Sequence, residues 1–146
     1  MSILSIPQTA LIQPARKTIT FTGATNLGEA GTNATVFTVT GQIHVVSLVP
    51  YCTTNLGEAL ATATVSLGTT ATVALFIAAT NSVDIDANEV WTAAAPTTRS
   101  LAIPAALKDI AVNNNIIVAC ATQNTNAGVI DFTMTWYPLS AGATVT

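Results

Sequence analysis

Apolar and polar residues alternate along most of this chain. Thr18-Ile19-Thr20-Phe21-Thr22 puts Ile19 and Phe21 on one face and three threonines on the other. Thr35 to Thr40 keeps the rhythm, broken only at Val36-Phe37. Further strands are predicted at Gln42 to Val49, Ala61 to Leu67, Val73 to Ala79, Ile116 to Ala121 and Val129 to Tyr137. Their β-branched side chains are stiff and pack well on a pleated surface. Gly23, Gly31, Gly41, Asn55-Leu56-Gly57, Gly68, Asn113-Asn114-Asn115 and Asn126-Ala127-Gly128 punctuate them as turns. About seven or eight short strands with frequent turns predict an all-β chain, an antiparallel β-sandwich of jelly-roll-like form. One short helix is predicted around Pro104 to Ile110, with Lys108 near its end.

The first residues differ from this pattern. Pro7 and Pro14 impose extended backbone and exclude a helix across them. Residues 1–16 therefore read as an extended N-terminal arm, and 17–146 as the sandwich. The apolar arm side chains Ile3, Leu4, Ile6, Leu11 and Ile12 are candidate partner contacts. The arm has two readings, an edge strand or loose end on its own subunit, and an extension onto a neighbouring one. The segment Thr25-Asn26-Leu27-Gly28-Glu29-Ala30 recurs identically at Thr54 to Ala59, and Ala34-Thr35-Val36 is echoed in the same register by Ala63-Thr64-Val65. Both copies read as a turn leading into a strand, at the same end of the sandwich.

Composition turns this fold into a functional lead. Only 8% of the 146 residues are charged, with a net charge of −3, while Ala and Thr make up about a third. Ordinary soluble chains are about 25% charged and stay apart in water largely through that charge. A foldable chain without it reads as one that works packed against other proteins, including copies of itself. Arg16-Lys17 is the sole basic pair, too little for a nucleic-acid footprint. The uncharged stretch Ala59 to Ile77 has the length of a membrane span, but threonines on a two-residue rhythm and Gly68 divide it into strands. No membrane partner is expected. Met1 to Gln13 has no basic residue ahead of its apolar part, unlike a secretion signal. Cys52 and Cys120 read as buried free thiols of a protein made in a reducing cytoplasm, with one disulfide as the alternative.

Candidate chemistry is sparse. Asp84, Asp86 and Asn88 have the alternating spacing of the first half of a calcium loop. Glu89 stands where such a loop needs glycine, and Ala95 where it needs a bidentate acid, so a solvated loop with Asp side chains capping backbone amides is the stronger reading. His44, the single histidine, sits within a strand. No nucleophile elbow, phosphate loop or multi-histidine metal set occurs, so no enzyme and no cofactor are expected. Trp91, Trp136 and Tyr137 are large apolar groups in an aromatic-poor chain. They are core candidates, and Trp136 and Tyr137 are also candidate subunit contacts.

Several segments resemble small virion proteins of tailed bacteriophages: Thr18 to Gly23, Leu27-Gly28, Phe37 to Gly41, Cys52-Thr53-Thr54, the Asp84 to Trp91 run, and Trp136-Tyr137-Pro138-Leu139-Ser140. The resemblance covers most of the chain from Thr18 onward and leaves the arm outside it. It implies a structural protein of the head, a cement or decoration protein. Such a protein would bind the major capsid protein on the outer capsid surface as a homo-oligomer, a trimer rather than a dimer. It carries over no catalytic residues. Two other readings stand beside it, a tail- or fibre-associated β module and a carbohydrate-binding or adhesin domain. The last would need exposed aromatic platforms, with Trp91 or Trp136 facing solvent.

Overall fold

A computed structural model describes residues 11–92 and 100–146. Ile3, Leu4 and Ile6 lie outside the described residues. Among the described residues ten strands follow one another: β1 Gln13–Thr20, β2 Asn33–Phe37, β3 Val39–Thr40, β4 Ile43–Glu58, β5 Thr64–Thr69, β6 Ile77–Asn81, β7 Lys108–Val112, β8 Ile116–Ala121, β9 Thr125–Pro138 and β10 Thr144–Val145. Apart from the β3–β10 ribbon, the strands pair as one nested hairpin: β5 with β6, β4 with β7, β2 with β8, and β1 with β9. Rolling that hairpin adds β4–β9 and β5–β8. Two four-stranded antiparallel sheets result, β1-β9-β4-β7 and β2-β8-β5-β6, which is the strand order of a jelly roll.

The core lies between the sheets, and the alternation read from the sequence decides what enters it. On β9, Ile130, Phe132, Met134 and Trp136 are buried, while Asp131, Thr133, Thr135 and Tyr137 point outward. From β4, Ile43, Val45, Leu48 and Cys52 meet them, and from the second sheet Val65, Leu67, Ile116, Val118 and Cys120. Each fully buried aliphatic or aromatic side chain contributes roughly 1.5–3 kcal/mol. Trp91 is fully buried, and its indole N–H donates to Thr80 Oγ1 at 2.9 Å.

The strands differ from the predicted ones at instructive places. The helix expected over Pro104 to Ile110 is a single 3-10 turn, Ala105–Leu107, that leads into β7. Leu107 is buried, and Lys108–Val112 pairs with Ile43 to Ser47, so the edge of β4 captures this segment as a strand. The strand expected from Val73 begins at Ile77 instead. Residues 70–75 fold back over the outer face of β5, where Ser66 Oγ donates to the Val73 carbonyl at 2.9 Å. Gly68 makes this possible, because a Cβ there would lie 2.2 Å from the Thr72 carbonyl oxygen. Ile117, which pairs with Gly68, is consequently buried although it faces away from the main core. β1 starts at Gln13, so the last residues of the expected arm are an edge strand paired to β9.

The two copies of the repeat fold differently. Thr25 to Ala30 is a compact turn in which the Thr22 and Gly23 amides both donate to the Leu27 carbonyl. Thr54 to Glu58 is the extended end of β4. Leu27 is exposed and Leu56 buried. Both copies nonetheless lie at one end of the sandwich, on either side of Thr125, whose amide donates to Gly28 O at 2.8 Å and whose Cα partner is Glu58.

Gly68→Ala is expected to destabilise the fold by about 1–3 kcal/mol, because the added methyl must push the 70–75 overlay off the sheet. Chemical denaturation of the two proteins checks this, and equal midpoints would contradict the packing described.

Candidate functional site

The outer face of the β1-β9-β4-β7 sheet carries Arg16, Thr18, Val49, Tyr51, Asp131 and Thr133 side by side. Register arranges them in two rows across three strands. Arg16 pairs with Thr133, which pairs with Val49; Thr18 pairs with Asp131, which pairs with Tyr51. The central strand carries the shorter side chains and its neighbours the longer Arg16 and Tyr51. This leaves a groove of about 340 Å³, lined by Arg16, Lys17, Thr18, Val49, Tyr51, Asp131, Phe132 and Thr133. Thr18 Oγ1 donates to Asp131 Oδ1 at 2.5 Å, and the Tyr51 hydroxyl donates to Asn88 Oδ1 at 3.3 Å.

Further along the same face, His44 stacks on Tyr137, with ring centroids 4.7 Å apart and planes 14° apart. His44 Nε2 lies 3.3 Å from Asp109 Oδ1. Asp109 itself has a left-handed backbone, at φ 56°. The expectation of a hydrogen-bonded strand histidine describes this position.

The acidic segment is a structural zipper. The Cys52 amide donates to Glu89 O, Asn88 N to Cys52 O, Trp91 N to Pro50 O, and Leu56 N to Ile85 O, so this loop lies along the far half of β4. Asn55 fastens it from both sides, donating to Asp86 Oδ1 at 2.7 Å and accepting from the Ala87 amide at 2.8 Å. Asp86 and Asn88 thus spend oxygens on Asn55 and Tyr51, while Asp84 closes a 3-10 turn. Among the described residues no group of three His, Cys, Asp or Glu is placed to hold a metal ion.

Of the candidate partner contacts, Leu11 and Ile12 are exposed at 43% and 61%. Trp136 is in the core, because its register opposite Val45 points it inward, so its ring is not offered to a partner. Tyr137, the next residue, is half-buried on the outer face. Trp91 is also internal, which leaves Tyr51 as the exposed ring of this face. Nothing in the sequence pattern marked Tyr51. Its role emerges only from register with Asp131 on a strand far away in the chain.

Every basic side chain among the described residues (Arg16, Lys17, Lys108) sits on β1 or β7, the two edges of this sheet. Charges on edge strands discourage uncontrolled pairing with other chains. The edges of the other sheet, β2 and β6, carry none. No helix among the described residues is long and apolar enough to cross a membrane.

No protein-family model matches the sequence, and a search of curated proteins finds no match. A solved structure described as the Cyanophage Pam1 capsid asymmetric unit is similar, at 19% identity over 94% of each chain with a TM-score of 0.54. The two chains share a fold. At this identity the likeness speaks for the architecture, and it agrees with the strand order derived above.

Both cysteines are free and buried. Burial pushes the Cys52 thiol up to about 11, with Asp86 and Glu89 adding to the rise, and backbone hydrogen bonding at Thr54 opposing it. Burial alone pushes Cys120 up to about 11. The folded state therefore holds both protons at pH values where the unfolded chain, with thiols near 9.0, has released them. The thiols' contribution to stability is fully present below pH 9 and is lost as pH rises through about 11. Denaturation midpoints should drop across that range, and a Cys52→Ala, Cys120→Ala double variant should drop less. A thiol reagent should leave the native protein unlabelled and label both residues in denaturant.

Proposed function

We propose that this protein is a structural component of a tailed-phage virion, a capsid cement or decoration protein that binds the major capsid protein lattice. The observation that carries the reading is the fold shared with a phage capsid chain over 94% of both lengths. The low charge supports it, since a neutral surface of Thr, Ala and Asn is suited to being covered by protein. The subunit acts as a homo-oligomer, a trimer, on the outer surface of the head, and is made in the host cytoplasm. Its mechanism is burial of uncharged surface repeated across a lattice, where many modest contacts act together. It performs no catalysis.

The N-terminal segment with Ile3, Leu4, Ile6, Leu11 and Ile12 reaches onto a neighbouring subunit. The exposure of Leu11 and Ile12, directly before the edge strand β1, supports that reading. Exposed strand edges accept added strands through main-chain hydrogen bonds, which gives such an arm a way to hold on.

Binding to purified heads should persist through high ionic strength, because screening has few charges to act on. Release by moderate salt alone, read by sedimentation of particles with bound protein, would overturn the mechanism. Removing residues 1–10 leaves β1 intact, so the truncated protein should fold and lose head binding. Binding at full strength would refute the arm. Light scattering of the purified protein should give three subunits; a monomer that also fails to bind heads would overturn the proposal.

A further inference from the structure

We propose that the groove on the outer face of the β1-β9-β4-β7 sheet is a glycan subsite that takes one ring of a neutral hexose or N-acetylhexosamine. The argument begins with shape. The groove of about 340 Å³ falls within the range of small-ligand sites and is bounded on its two long sides by Tyr51 and Arg16. Tyr51 is 38% exposed, and its hydroxyl is tied to Asn88, so the ring is held at a fixed tilt. A fixed aromatic wall suits the apolar C–H face of a sugar ring, which buries area at little entropic cost.

The polar groups narrow the class. Arg16 offers donors only, and among the described residues it has no carboxylate within ion-pair distance. Asp131 offers acceptors, with Oδ1 engaged by Thr18 and the carboxylate otherwise facing the groove. Thr18 and Thr133 add hydroxyls that both donate and accept. A simple anion would meet Asp131, and a simple cation would meet Arg16. A ligand rich in both donors and acceptors, without net charge, satisfies both walls. Vicinal hydroxyls have that chemistry, with one pair donating to Asp131 and another accepting from Arg16. The floor of Val49 and Thr133 leaves room for the ring between them.

Placing the subsite on this sheet accords with the proposed location of the protein but does not depend on it, because the test uses the isolated full-length chain. Methyl glycosides of glucose, galactose, mannose and N-acetylglucosamine are titrated, and binding is read by saturation-transfer NMR. At least one should bind with a Kd on the order of 1 mM, the scale for a dozen-atom ligand in an open groove. Tyr51→Ala and Arg16→Ala should each weaken it at least about tenfold, about one factor-of-ten step in affinity. Thr35→Ala, on the opposite sheet, should bind as the parent does. Arg16 is exposed on an edge strand, so its variant remains informative if Tyr51→Ala melts early. The proposal falls if no neutral glycoside binds, or if both groove variants bind as the parent does. It also falls if only acidic sugars or free amino acids bind. Loss of head binding in a separate assay would bear on the capsid reading and leave this result untouched.

Discussion

The ladder between β4 and β9 holds the rest in place. It runs from Ile43 opposite Pro138 to Glu58 opposite Thr125, and each strand carries a further neighbour, β7 on β4 and β1 on β9. Its register decides which side chains become core. A slip of one residue would turn Phe132, Met134 and Trp136 to water and bring Asp131 and Thr133 inside. The same register creates the groove, since it sets Asp131 between Thr18 and Tyr51. Its bulges, at Val45/Ser47 and between Cys52 and Glu58, bend β4 enough to follow the roll of the sandwich.

The scarcity of charge acquires a location in this fold. The described basic residues guard the edges of one sheet, and the Asp86 carboxylate fastens a loop along β4. What is left neutral includes the overlay of residues 70–75 and both edges of the second sheet. The molecule thus has a polar, grooved face and a neutral one.

Much of the fold was legible because alternation is a local signal. Ile116 to Ala121 was predicted to the residue, and β9 was found apart from its two ends. What escaped were features fixed by distant partners. Lys108 to Ile110 reads as a helix end until β4 offers it hydrogen bonds. Val73 looks like strand until Gly68 and Ser66 provide a bare floor for it to cross. Identical hexapeptides became a turn and a strand because one follows β1 and the other extends the long β4. The site was less legible than the fold. Trp136 drew attention as a rare aromatic and lies inside, while Tyr51 acquires meaning only opposite Asp131.

The nested pairing has a consequence for how the molecule is made. β1 closes against β9, so it waits for a strand far along the chain. At about 5–20 residues per second, the roughly one hundred residues between them take about 5–20 s to synthesise. Throughout that interval β1 is without its partner strand, while the inner pairs β5–β6 and β4–β7 already have theirs. Emergence of β9 is the event that gives β1 its partner in the sheet.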